Sequence, residues 1–244
     1  MSGFAGSKAL VTGGASGIGA ATVDLLRGRG ASVAILDAVS VPGVYQCDIS
    51  DAAGVATTVD QIASDLGGID IVINNAGIGA AGDVSANPDD EWLRVFDVNV
   101  FGAVRVTRQA LPHLRRSQHA AIVNTSSIVA VVGVPDRVLY SATKGALSAM
   151  TIAMAADHVR EGIRVNAVLP GTADTPWVDR ILTAAIDKDA ASEALRRRQP
   201  LGRLISPAEV AHAIVYLADP ASGSTTGTLL TVDGGMGGLR VPAS

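Results

Sequence analysis

The sequence predicts a doubly wound α/β protein built on a parallel sheet, and three observations carry that expectation. Short runs rich in Val, Ile and Leu alternate with longer helix-compatible stretches, the pattern of repeated βαβ units. Those runs are apolar on both faces, as strands are when helices cover a sheet on each side. No Pro- or Ser-rich linker and no internal repeat interrupts the 244 residues, so 1–244 is expected to form one domain.

Seven strands are expected: "ALVT" (9–12), "SVAIL" (32–36), "VYQC" (44–47), "DIVIN" (70–74), "AAIVNTS" (120–126), "RVNAVLP" (164–170) and "LLTVDG" (229–234). Helices are expected over 17–29, 51–66, 89–116, 140–160 and 206–218. The link between the second and third strands breaks the pattern. Only eleven steps separate Asp37 from Asp48, with a proline and a glycine between them. A crossover helix does not fit there, so a loop or single turn is expected. The segment 172–205 is long for a connection, has proline-bearing breaks at both ends and is helix-compatible between them. Insertions at the carboxyl ends of parallel strands usually cover the ligand crevice, so a substrate lid is expected there.

Composition narrows the function classes. With 48% apolar and 17% charged residues, the chain can supply a substantial core. A net charge of −4 with interspersed signs argues against nucleic acid or an anionic membrane as main partner. Cys47 is the only cysteine, and His113, His119, His158 and His212 lack metal-ligand spacing, so no internal disulfide and no metal are expected. No apolar run reaches the length of a membrane span, and "MSGFAGSKALVTGG" reads as a first strand rather than a signal-peptide core. A soluble cytoplasmic protein is the resulting expectation.

Two stretches suggest chemistry. "TGGASGIG" (Thr12–Gly19) follows the first strand and opens the first helix, where glycines at 13, 17 and 19 let backbone approach a pyrophosphate at the helix N-terminus. Asp37 ends the second strand some twenty residues on, placed to accept both hydroxyls of an adenosine ribose and to repel a 2′-phosphate. That favours NAD over NADP. In "YSATK", Tyr140 and Lys144 fall one helical turn apart on one face.

Thr12-Gly13-x-x-x-Gly17-x-Gly19, "NNAG" (74–77), Asn99, Ser126 with Ser127, "YSATK" (140–144) and "PGTADT" (170–175) occur in that order. Together they resemble the short-chain dehydrogenase/reductase family across essentially the whole chain. The resemblance implies a single Rossmann domain with strand order 3-2-1-4-5-6-7, usually assembled as a homotetramer. It implies hydride transfer between NAD and a secondary alcohol or ketone. A free tyrosine has a pKa of about 10. The neighbouring Lys144 and the positive nicotinamide ring would favour the phenolate, making Tyr140 the general base. By the same resemblance Lys144 also holds the nicotinamide ribose, Ser127 bonds the reacting oxygen, and Ser126 is structural. Asn99 would bend a helix and position a water in the proton relay. For the cofactor, Ser16 and Ile18 complete the phosphate turn with Gly13, Gly17 and Gly19. Asp48 and Ile49 meet the adenine, and Asn75, Ala76 and Gly77 line the adenosine pocket, with Asn74 tying strands together. Pro170, Gly171, Ala173 and Thr175 anchor the carboxamide and phosphates.

The small-molecule substrate is less defined. Arg137 stands three residues before Tyr140, and the expected lid holds Arg180 and the run Arg196–Arg198. This placement, with "GIRVNAVLPGTADTP", resembles a subgroup that includes cytosolic type-2 3-hydroxybutyrate dehydrogenase and 2-keto-3-deoxy-L-fuconate dehydrogenase. A carboxylate-bearing hydroxy acid or sugar acid, clamped by Arg137 and Arg180, is expected. The 196–198 run is expected to face water or a subunit interface, and Asp136 could neutralise Arg137. A sugar, polyol or cyclic-alcohol dehydrogenase is the alternative. A class-I methyltransferase needs no Tyr-x-x-x-Lys, and a non-catalytic dinucleotide sensor would typically lose Tyr140 or Lys144; both residues are present.

Overall fold

The computed structural model describes residues 3–184 and 186–241. Strands β1 (Lys8–Thr12), β2 (Ser32–Asp37), β3 (Tyr45–Gln46), β4 (Ile71–Asn74), β5 (Ala121–Thr125), β6 (Arg164–Pro170) and β7 (Leu229–Val232) form one parallel sheet. Its order is β3-β2-β1-β4-β5-β6-β7, the doubly wound Rossmann arrangement. Helices are α1 (Gly17–Gly28), α2 (Ala52–Leu66), α3 (Asp89–Phe96), α4 (Gly102–Leu114), α5 (Val138–His158), α6 (Pro176–Ala184), α7 (Lys188–Arg197) and α8 (Pro207–Ala218).

Successive strand residues point to opposite faces, and the two cores divide accordingly. Val11, Ile73 and Val123 pack with Val23 and Leu26 of α1 and Ile214 of α8. Their neighbours Leu10, Val72 and Ile122 pack with Val59 and Ile62 of α2 and Val106 of α4. Both-face apolarity was therefore the correct guide to a covered sheet. The order reverses between β1 and β4, and the crevice at the carboxyl ends of those strands is where ligands of such sheets bind.

The β2–β3 link is a loop, as expected, and β3 pairs through only Leu36 with Tyr45 and Asp37 with Gln46. β7 stops at Val232 because Asp233 turns the chain: its carboxylate accepts the N–H groups of Gly235 and Gly237 at 2.9 and 2.7 Å. The helix expected over 89–116 is broken by a π turn at Asp97–Phe101 between α3 and α4. α8 starts where Ser206 and Glu209 form a reciprocal capping box ahead of Pro207.

Between β6 and α8, residues 172–205 fold as α6 and α7 around Val178, Leu182 and Leu195. Gln199 fastens the ends of this segment. Its side chain accepts from the Thr172 N–H at 3.2 Å and donates to the Leu195 carbonyl at 3.0 Å. Among the described residues, no helix is long and apolar enough to cross a membrane.

Candidate active site

The chain leaves β1 at Thr12, turns, and enters α1 at Gly17. Ser16 caps α1 in extended conformation without a side-chain bond, which leaves the helix's first N–H groups for a ligand. The turn is fastened to the chain after β4. Thr12 Oγ1 accepts from the N–H groups of Asn75 and Ala76 at 3.0 and 3.1 Å. Asn75 Nδ2 returns bonds to the Thr12 and Gly13 carbonyls. Gly19 lies behind this turn; a Cβ there would stand 2.0 Å from the Gly13 carbonyl oxygen. The two motifs therefore form one rigid wall.

A cleft of about 730 Å³ opens at the carboxyl ends of the strands. Gly13, Ser16, Gly17 and Ile18 line one side, with Asn75, Ala76 and Gly77 beside them. At one end stand Asp37, Asp48 and Ile49. Pro170, Gly171, Ala173 and Thr175 contribute from the end of β6 and the chain after it, Ser127 from the turn after β5, and Tyr140 and Lys144 from α5. Asp37 is oriented by its own neighbours, its Oδ2 accepting from the Ala15 N–H at 3.0 Å. The Ser50 main-chain and hydroxyl groups both donate to Asp48 and hold its carboxyl below the usual range.

Burial shapes the catalytic candidates. It pushes the Tyr140 phenol up to about 12, against the opposing pulls of the Ser127 hydroxyl and the Arg137 guanidinium. It lowers the Lys144 ammonium to about 8. The lowering of the phenol expected from Lys144 is absent in the protein alone. The ammonium lies 5.6 Å from the tyrosine ring centre and donates to the Thr125 carbonyl at 2.8 Å.

Three buried polar residues hold the frame. Ser126 donates to the Lys144 carbonyl and meets the Ser148 hydroxyl, anchoring α5 to β5. Asn74 donates to Asn124 at 2.9 Å and Thr107 at 3.0 Å, tying β4 to β5 and α4. Asn99 sits in the π turn, behind the cleft wall. Its Oδ1 accepts from the Ile78 N–H, and its Nδ2 donates to the Ile78 carbonyl and Thr143 Oγ1.

The arginines separate by position. Arg137 and Arg180 both line the cleft. Asp136, at φ 57°, does not neutralise Arg137 through its carboxylate; instead its carbonyl accepts from the guanidinium at 2.7 Å. The 196–198 run was expected to face away, and only two of its members do. Arg196 and Arg197 both pair with Glu193. Arg198 turns into the cleft, where burial and then the nearby Arg137 charge lower its pKa. The spacing Leu195–Arg198 carried the signal: residues three apart share a helix face, and Leu195 is buried. Trp177, its ring stacked at 6.2 Å from Tyr140, was also missed.

The comparisons agree with this geometry. A family model described as Enoyl-(Acyl carrier protein) reductase matches residues 13–237. Cis-4-hydroxycyclohexanecarboxylate dehydrogenase of Sinomonas cyclohexanicum is 39% identical over 252 residues, covering 95% of this chain and 97% of that protein. L-fucose dehydrogenase of Bos taurus is 38% identical, covering 95% and 90%. The solved aldohexose dehydrogenase of Thermoplasma acidophilum superposes with a TM-score of 0.93 at 31% identity, covering 100% of this chain and 98% of that one. The molecule is an oxidoreductase acting on CH–OH groups with a nicotinamide dinucleotide. By its motifs, fold and relatives, the chain belongs to the short-chain dehydrogenase/reductase family.

Proposed function

We propose that this protein is an NAD-dependent dehydrogenase of a small, carboxylate-bearing secondary alcohol. The observation that carries this reading is the pair Arg137 and Arg198. Both line the cleft that holds Tyr140, and the Arg137 charge adds to burial in lowering the pKa of Arg198. Among the described residues neither is in an ion pair with a carboxylate. Two guanidiniums held together without an anion repel, and a substrate carboxylate relieves that repulsion. Arg180 adds a third cation at the mouth, and residues 172–205 act as the lid.

The residues fit a dinucleotide. Free N–H groups at the start of α1 suit the pyrophosphate, and Gly19 lets the backbone close up behind it. The Asp37 carboxylate suits a ribose diol and disfavours a 2′-phosphate, which supports NAD. When bound, the oxidised nicotinamide supplies the hydride acceptor and a positive charge beside the phenol. Ser127 holds the substrate oxygen, and Tyr140 takes the hydroxyl proton onto Oη. Lys144 holds the nicotinamide ribose and keeps a cation near the phenol. The side-chain amide of Asn99 is committed to Ile78 and Thr143, so its share in a proton relay falls to main-chain groups of the π turn.

A cytoplasmic homotetramer is part of the proposal. Exposed apolar side chains in two regions support the oligomer: Phe101, Ile152 and Val159 around α4 and α5, and Tyr216 with Leu239 of α8 and the chain after β7. Two different self-complementary faces build a tetramer from dimers. The second reading, a sugar or cyclic-alcohol dehydrogenase, is favoured by the relatives' names. One of these names a cyclic alcohol that also carries a carboxylate, so the two readings meet in one compound. The test is NAD⁺ reduction with 4-hydroxycyclohexanecarboxylate, 3-hydroxybutyrate, cyclohexanol and L-fucose. Higher kcat/KM for the two acids supports the proposal; preference for the neutral compounds hands the assignment to the second reading.

A further inference from the structure

Trp177 follows Pro176 at the start of α6 and reaches across the cleft. Its indole stacks on the Tyr140 ring, centroids 6.2 Å apart and planes 27° apart. It also rests on Gly79, in the loop after β4. A Cβ at Gly79 would come within 2.4 Å of the indole Cζ2 and 2.8 Å of Cε2, so not even a methyl group fits there with the ring in place. The contact therefore joins the 172–205 segment to the opposite wall beside the phenol that meets the substrate. Trp177 remains 37% exposed, so it is a wall of the cleft rather than a core residue.

We propose that Trp177 is a specificity-determining residue, a size filter held in position by Gly79. The indole takes the volume beside Tyr140 into which a substituent on the carbinol carbon would extend. A small ring or short chain passes; an aryl group or long acyl chain on that side meets the indole where Tyr140 and Gly79 hold it. The inference rests on Tyr140 as the group that meets the alcohol, and it names the size of the substrate independently of its charge. Gly79 acts through Trp177: its missing side chain sets where the indole stands.

The experiment compares Trp177→Ala, Gly79→Ala and the double variant on two size-matched pairs of probes. The acids are 4-hydroxycyclohexanecarboxylate and 3-hydroxy-5-phenylpentanoate; the neutral alcohols are cyclohexanol and 4-phenylcyclohexanol. In both single variants the bulky-to-small ratio of kcat/KM should rise by roughly tenfold or more, the scale of a pocket-volume effect. The double variant should match Trp177→Ala alone, because both changes remove one contact. A ratio within about twofold of wild type in Trp177→Ala overturns the filter. Failure of the hydroxy-acid reading would show separately, as acids losing to neutral alcohols within each size class. A second measurement needs no turnover. The chain has two tryptophans, so Trp92→Phe leaves Trp177 as the only indole. In that background Gly79→Ala should shift its emission to the red and increase quenching by acrylamide; unchanged emission and quenching overturn the role of Gly79.

Discussion

Lys144 lies 5.6 Å from the centre of the Tyr140 ring, yet its ammonium donates to the Thr125 carbonyl at 2.8 Å. Both side chains project from one face of α5 into a buried site, and burial disfavours the charged form of each. The phenol rises to about 12 and the ammonium falls to about 8. The lysine is thus held by β5 near the phenol but separate from it.

Replacing Tyr140 with Phe removes the acidic oxygen and almost no volume. Turnover should fall by about 10²-fold or more, the usual contribution of a positioned acid–base group. NADH binding, read by its fluorescence, should survive. Wild-type turnover in this variant would assign the base to another residue.

Lys144 makes stability depend on pH with a definite sign. Its folded value of about 8 lies below the ordinary 10.5. Between those values the unfolded chain holds a proton that the folded chain has released, so this group's contribution to stability rises with pH across that window. Below it, both states are protonated and the cost of the buried cation is fully present. Compared with Lys144→Met, the wild type should gain in Tm from pH 8 to 10.5. A difference in Tm that stays flat would place the lysine at its ordinary value.

Asp37→Asn keeps an oxygen for the Ala15 N–H and removes the charge. A hydrogen bond to a charged group contributes about 1.5–3 kcal/mol, so kcat/KM with NAD⁺ should fall roughly ten- to hundredfold. The bar to NADP⁺ should relax at the same time. A wild type that already prefers NADP⁺ contradicts the cofactor proposal.

Arg198→Met and Arg137→Met should each raise KM for the acid substrates by roughly tenfold or more, the worth of one charged contact, and leave KM for neutral alcohols nearly unchanged. Arg137→Met should also slow kcat on both classes, because that charge helps to lower the pKa of the Tyr140 phenol. Arg197→Met is the internal control: that side chain pairs with Glu193 at 2.7 Å on the outer face of α7. Equal rises in KM for acid and neutral substrates would reassign Arg137 and Arg198 to structural roles.

The strand–helix alternation, the shortened β2–β3 link and the order of the family motifs were legible because each is a local pattern. Side-chain period, glycine and proline punctuation and short spacings are written within one turn or one strand. The Tyr140–Lys144 relationship is of this kind, since four residues on α5 suffice to set it. The π turn is not. It sits where Asn99 bonds to Ile78, twenty-one residues away, and "DVNVF" alone carries no period that separates a π turn from an α turn.

Whether Arg198 or its neighbours enter the cleft depends on how α7 rolls against Val178 and Leu182. Trp177 meets Gly79 only because the sheet brings the loop after β4 opposite α6. By itself the sequence determined the fold and placed the family motifs along it, because backbone preferences and short spacings act locally. Only the tertiary structure decided which arginine of the 196–198 run lines the cleft, what wall stands beside the phenol and which way burial moves the two pKa values. Those properties come from desolvation and from contacts between segments nearly a hundred residues apart, where neighbours in space are not neighbours in the chain.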